Sequence, residues 1–221
     1  MIDAQLQELL ICPRCYGELY EETRASDLRA SIRCRACGAR YPVEGQIPLM
    51  FSGATNDGFG HDLYNAQLRG NFFERTFHNN RIDTLLRVVT DELEPAYPSQ
   101  ASGTRILDIG CNTGPMLIPL RQQGYDVVGI DISVQDVKQA ERYLQNCNLP
   151  SGGLSVADGT QLPFRDHSFD LVLLIDILEH TDHPQDIVSE AKRLLVPDGI
   201  AVATVPWAFH PYVRYTWLRK L

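Results

Sequence analysis

From Thr104 onward, apolar runs of strand length alternate with stretches of helical period. Arg105 to Ile109 predicts a buried strand, Met116 to Gln123 a short helix closed by Gly124, and Asp126 to Ile130 a second strand. Val134 to Cys147 predicts a helix, Leu154 to Ala157 a third strand and Phe169 to Ile175 a fourth. Asp186 to Leu195 predicts a further helix, closed by the turn Pro197-Asp198-Gly199, and Ile200 to Val205 a fifth strand. Strands and helices alternating at this spacing predict an α/β fold, a doubly wound parallel sheet with helices on both faces.

The pattern before Thr104 differs. Gln5 to Ile11 predicts a helical turn or a strand, and Ala30 to Arg33 a strand entering Cys34. Residues 41–51 carry turn chemistry and then an apolar tail, with Pro42, Gly45 and Pro48 disfavouring helix. Residues 52–60 read as a linker. Ile82, Leu85, Leu86, Val89 and Leu93 recur at helical spacing, and Pro95 and Pro98 end that helix near Glu94. Tyr64, Phe72, Phe73 and Phe77 form either a lid over a ligand site or the core of a helix pair. Three regions result: a small module over 1–52, a linker with a helical lid over 53–103, and an α/β domain over 104–221.

Composition narrows the class. With 44% hydrophobic and 22% charged residues, the chain has the balance of a folded protein. No apolar run approaches the roughly 18 residues that span a bilayer. No basic residue precedes an apolar stretch at the N-terminus, so no signal peptide is predicted and a cytoplasmic location is the expectation. The net charge is -8, of which residues 1–52 carry -1 (six Lys/Arg, seven Asp/Glu) and the remainder -7 (14 and 21). That balance argues against nucleic-acid binding, which needs a basic surface to displace counterions. Arg29, Arg33, Arg35 and Arg40 form the densest basic cluster and read as a solvated surface.

Four of the six cysteines fall in two pairs, Cys12-Pro13-Arg14-Cys15 and Cys34-Arg35-Ala36-Cys37. Two such knuckles supply the four sulfur ligands of a tetrahedral zinc site. Gly17 and Gly38 follow the knuckles, where a tight turn favours a residue without Cβ. A four-sulfur site is closed to substrate, so the expected zinc is structural, stabilising a module too small for its own core. With Tyr41-Pro42-Val43 and Gly45 to Met50, this stretch resembles small zinc-ribbon proteins that accompany or activate methyltransferases.

Between the first strand and its helix lies Asp108-Ile109-Gly110-Cys111-Asn112-Thr113-Gly114, a turn that lets a ligand approach the backbone. Alone, it suits a nicotinamide or flavin cofactor equally well. Three further strand ends change the balance: Gly129-Ile130-Asp131-Ile132, Ala157-Asp158-Gly159 and Phe169 through Glu179-His180. Asp131 is placed to accept from both ribose hydroxyls and Asp158 from an adenine amino group. The ordered set over residues 104–206 resembles the class I S-adenosylmethionine-dependent methyltransferases, in particular the type 11 group that includes ubiquinone-biosynthesis-like enzymes. The resemblance implies a Rossmann-like fold with Asp108, Gly110 and Gly114 around the methionine part of the cofactor, Asp131 and Ile132 at ribose and adenine, Asp158 and Gly159 at adenine, and Ile175 lining the site. Asn112 stands where the family often has glycine. Asn tolerates left-handed backbone angles, so it is expected in the site as well.

Methyl transfer depends mainly on alignment, because the sulfonium is already activated. A hydroxyl or amine acceptor also needs a base, and His180 is the candidate, against a bland alternative in which it only orients a loop. Asp176, Glu179 and His180 additionally have the spacing of a divalent-metal cluster on one turn, as in some ubiquinone-pathway relatives. The expected acceptor is a small molecule or a glycan precursor, the latter from a loose likeness of the tail after Val205 to enzymes encoded with surface-polysaccharide genes. Alternatives are RNA methylation and a non-catalytic cofactor-binding module whose ribbon recruits a partner. Only 16 residues follow Val205, fewer than this fold's last helix and antiparallel strand pair need, so those strands are expected to be missing. The fifth strand would then present an edge for a second copy or another protein.

Overall fold

The computed structural model describes residues 2–22, 30–51, 82–91, 103–205 and the backbone of 215–218. The first element, α1 (Ala4–Leu9), is capped by Asp3, whose side chain accepts from the Leu6 amide at 3.1 Å. Four strands follow: β1 (Leu19–Glu22), β2 (Ser31–Cys34), β3 (Arg40–Glu44) and β4 (Ile47–Pro48). They form an antiparallel sheet in the order β1-β2-β3-β4. The turn predicted within 41–51 is the hairpin between β3 and β4, with Gly45 at φ 66°.

Residues 82–91 form α2, whose Leu85, Leu86 and Val89 are buried as their spacing predicts. Leu93, the helix end near Glu94 and the aromatic residues Tyr64, Phe72, Phe73 and Phe77 lie outside the described residues. The α/β region comprises β5 (Arg105–Ile109), α3 (Leu117–Gln122), β6 (Asp126–Asp131), α4 (Val134–Asn146), β7 (Leu154–Val156), β8 (Phe169–Ile175), α5 (Pro184–Leu194), β9 (Leu195–Thr204) and β10 (Tyr215–Leu218). The sheet order is β10-β9-β8-β5-β6-β7, with β5 to β9 parallel. It is the expected Rossmann-like sheet preceded by a small antiparallel sheet that carries the cysteines.

Two expectations are modified. The predicted turn 197–199 sits inside β9 as a bulge: the register with β8 jumps from Phe169↔Leu195 to Leu171↔Ile200, and Asp198 adopts φ 66°. The tail, where the pattern predicts no element, contains β10, which pairs antiparallel with β9 from Tyr215↔Thr204 to Leu218↔Ala201. The chain's own backbone thereby takes the edge expected to be open for a partner.

Strand alternation sends side chains to two cores. On one face, Ile106, Val127, Leu171 and Leu173 pack with α2, α3 and α4. On the other, Leu107, Ile109, Val128, Ile130, Val172 and Leu174 pack with α5 and with the N-terminal module, through Leu6, Leu9, Leu10, Ile32, Val43 and Met50. The reason lies in the β7–β8 connection. Residues 157–168 contain no helix, so part of that face has no cover from the α/β region itself. The module supplies it, and Phe164, fully buried and edge-on to Phe169 at 5.4 Å, marks the centre of the contact. At the β7 edge, Leu49 pairs parallel with Val156, and the Met50 amide donates to the Val156 carbonyl at 2.8 Å. The small sheet thus continues the large one.

A core shared between module and domain predicts joint unfolding. Leu6→Ala should cost about 2–5 kcal/mol and shift one cooperative urea transition, followed by far-ultraviolet circular dichroism. Two separable transitions, with only the smaller displaced, would show instead that the module folds independently.

Candidate active site and metal centre

The carboxyl ends of β5, β6, β7 and β8 lie side by side, and the strand order reverses between β8 and β6 around β5. A ligand crevice forms at such a switch point. Gly110 and Cys111, just beyond β5, both donate to the Ile130 carbonyl, at 2.9 and 2.8 Å, which folds the turn across the end of β6. Gly110 has φ 76°, a backbone conformation that disfavours any side chain, and a Cβ there would lie 2.8 Å from Ile177 Cδ1, which would have to shift. Asn112 has φ 50°, the left-handed conformation expected of it, and Gly114 has φ 91°.

Asp131 ties the first two strand ends together. One of its oxygens accepts from the Asn112 amide and the other from the Ser133 amide, each at 2.9 Å. Ser133 in turn caps α4 by accepting from the Asp136 amide at 3.2 Å. Burial pushes the Asp131 carboxyl above its ordinary range, and the bonds from Ser133 and Asn112 offset part of that. Asp108 pairs in register with Gly129 and so shares a sheet face with Asp131. It is almost wholly buried, and desolvation, reinforced by the negative charge of Asp131, raises it to about 7. Beside these acids, Ile132 is 40% exposed, one of only two large apolar side chains so exposed among the described residues.

Asp158 follows β7 and accepts from the Thr160 amide at 2.9 Å and the Thr160 hydroxyl at 2.8 Å. Gly159 packs against Ile109 and Ile187, where a Cβ would approach to 3.3 Å. Ile175 ends β8, half-buried. His180 lies exposed on the short 3-10 turn Leu178–His180 that follows. Among the described residues, Asp176, Glu179 and His180 do not converge into a metal-ligating group. Asp176 instead turns back to β9, accepting from the Thr204 hydroxyl at 2.7 Å. Thr204 has no distinguishing sequence context, and only the β8–β9 pairing exposes its role.

At the other centre, the sulfurs of Cys12, Cys15, Cys34 and Cys37 all lie within 4.8 Å of one another. Cys12–Cys37 and Cys15–Cys34 are separated by 3.7 and 3.4 Å, too far for disulfides. A zinc tetrahedron with bonds of about 2.3 Å has edges of about 3.8 Å, so the sulfur cage fits the ion. Gly17 is required here by space: a Cβ would fall 3.2 Å from Cys34 Sγ and 3.3 Å from Cys15 Sγ. The positive φ of that knuckle falls on Tyr16, at 57°, while Gly38 supplies 73° in the second. Tyr41, which sequence reasoning valued only as part of a motif, places its hydroxyl 3.1 Å from Cys12 Sγ. Burial and the neighbouring cysteines push that hydroxyl far above the usual tyrosine range.

The methyltransferase domain family matches residues 107–203. The chain is 30% identical over 132 residues to the ubiquinone biosynthesis O-methyltransferase of Roseobacter denitrificans, covering 56% of this chain and 50% of that protein. It is 33% identical over 118 residues to 24-methylenesterol C-methyltransferase 2 of Oryza sativa subsp. japonica, covering 52% and 30%. It therefore spans half or less of the length of these relatives. In fold it resembles the crystal structure of magnesium protoporphyrin IX methyltransferase from Synechocystis PCC 6803 with bound SAM: TM-score 0.54, 22% identity, 73% of this chain and 74% of that one. The glycine turn and the acidic strand ends lie within residues 107–203, the segment that matches the type 11 methyltransferase domain family of S-adenosylmethionine-dependent enzymes.

Proposed function

We propose that the protein transfers the methyl group of S-adenosylmethionine to a small-molecule acceptor, and that its four cysteines hold one structural zinc ion. The observation that carries the first part is the row of carboxylates Asp108, Asp131 and Asp158 at three neighbouring strand ends, beside the exposed Ile132. Asp131 keeps lone pairs for two ribose hydroxyls, since a carboxylate offers about four acceptor sites and two are used by backbone amides. Ile132 covers one face of the adenine, and Asp158 with Gly159 meets its edge. The backbone at Gly110, Asn112 and Gly114 curves around the methionine part, with Asp108 beneath and Ile175 at the side.

The bound cofactor supplies an already activated methyl group. What the protein adds is alignment of the acceptor and removal of its proton. His180 serves as the base for a hydroxyl or amine acceptor; its exposure on the turn that follows β8 supports this reading. The Roseobacter denitrificans relative bears the name of an O-methyltransferase and the Oryza sativa relative that of a C-methyltransferase, and both concern small molecules in name. The glycan-precursor reading rests on residues 206–214, which lie outside the described residues. Among the described residues no helix is long and apolar enough to cross a membrane.

Replacing Asp131 with alanine removes a charged acceptor for two hydroxyls. With water replacing part of the lost bonding, the net loss is about that of one charge-assisted bond, roughly 1.5–3 kcal/mol, so a ten- to hundredfold loss of affinity is expected in isothermal titration with S-adenosylmethionine. An unchanged dissociation constant would remove Asp131 from the site.

The pH profile tests Asp108. Its folded pKa of about 7 lies above the ordinary 3.8, so in the free protein it holds a proton across most of that interval. The carboxylate form attracts the positively charged end of the cofactor, so affinity should rise with pH and level off above about 7. Asp108→Asn should flatten the rise. A wild-type profile already flat between pH 6 and 8, about the relevant window, contradicts this role.

For the metal centre, elemental analysis of protein purified without added metal should give one zinc per chain, and Cys15→Ser should lower the content. Zinc-free wild-type protein with its fold intact would refute the assignment.

A further inference from the structure

The adenine-side segment, residues 158–165, is anchored by the N-terminal module through its last three residues, Pro163 to Arg165. The Ile11 amide donates to the Pro163 carbonyl at 2.9 Å, the Arg165 amide donates to Leu9 at 3.0 Å, and Leu10 and Phe164 form an antiparallel bridge between them. These three module residues run directly into Cys12. The Arg165 guanidinium donates to the Glu8 carbonyl at 3.0 Å and to the Glu18 carboxylate at 2.8 Å, bracketing the first knuckle from both sides.

A second connection passes through α5. Arg193 donates to the carbonyls of Phe164, at 2.7 Å, and Leu162, at 3.1 Å. Glu190, paired with Arg193, accepts from the Leu162 amide at 2.6 Å. The same guanidinium lies 5.4 Å from the centre of the Tyr16 ring, inside the knuckle between Cys15 and Gly17. The segment has no helix of its own to hold it, so these partners set its position.

We infer that the four-cysteine module sets the domain's affinity for S-adenosylmethionine by holding residues 158–165 in their binding position, so that loss of the metal weakens cofactor binding from a distance. The inference rests on the proposed contact of Asp158 and Gly159 with adenine. Without an ion, four sulfurs within 4.8 Å lose the bonds that keep them together. The knuckle then loosens, and with it the Leu9–Ile11 segment and the contact of Tyr16 with Arg193. Asp108 and Asp131 stand on β5 and β6, outside this path, so cofactor binding should be weakened rather than abolished.

The test compares full-length protein loaded with zinc and the same protein stripped by a chelator under reducing conditions. S-adenosylmethionine affinity is measured by isothermal titration, and amide exchange is followed by mass spectrometry. Stripping should lower affinity by about tenfold and speed exchange in 158–165, while β5 and β8 stay protected. Equal affinity in the two forms would overturn the inference alone; absence of binding by the zinc-loaded protein would overturn the functional reading with it. Should stripping unfold the whole domain, Arg165→Ala decides. It leaves every cysteine in place, so zinc content should be unchanged while affinity falls about fivefold with faster exchange in 158–165. Wild-type affinity in that variant, at full zinc content, overturns the inference.

Discussion

The structure depends on a missing helix. The connection from β7 to β8 is an extended segment, which leaves apolar positions on β5, β6 and β8 without cover from the α/β region itself. Roughly 25 cal/mol per Å² favours removing such surface from water, and the N-terminal module is what removes it. Its helix and strands contribute to the same core as Leu107, Val128 and Val172. The module in turn is too small to be stable on apolar burial alone, and the proposed zinc ion in its sulfur cage would supply the remaining constraint. Each part thus completes the other.

The same arrangement explains the site. A cofactor crevice needs several strand ends held at fixed spacing, and hydrogen bonds between the turns set that spacing here. Asp131 joins the Asn112 turn to the end of β6, and the Ile130 carbonyl receives both Gly110 and Cys111. Two acidic side chains on one sheet face, Asp108 nearly buried and Asp131 partly so, are costly in the free protein, and their raised pKa values express that cost. A positively charged ligand relieves it. Electrostatic tension of this kind concentrates where a protein binds or reacts, and here it coincides with the glycine turn and with the exposed Ile132.

Much of this was legible in the amino-acid order. Apolar runs of strand length between helical periods indicated the parallel sheet, because a strand buried on both faces is apolar throughout whereas a helix buried on one face repeats at 3.6. Paired cysteines announced the sulfur cage because zinc ligation constrains spacing locally. Asn112 was readable as a left-handed position because few other residues tolerate φ 50°. Asp131 and Asp158 stood out because each sits at a strand end, a place the local pattern marks.

Long-range pairing was not legible. No local pattern shows that Leu10 bridges Phe164, that Leu49 extends the sheet beside Val156, or that β10 closes the edge of β9. These contacts join residues far apart in the chain, where neither periodicity nor spacing carries information. The same holds for Gly17, whose need is space beside two sulfurs, and for Tyr41, whose hydroxyl meets Cys12 across 29 positions. The sequence by itself determined the sheet, the paired cysteines and the acidic strand ends, since each follows from local chemistry. The tertiary structure alone decided that the cysteine module is built into the cofactor domain, because that outcome depends on which apolar surface remains uncovered once the sheet has formed.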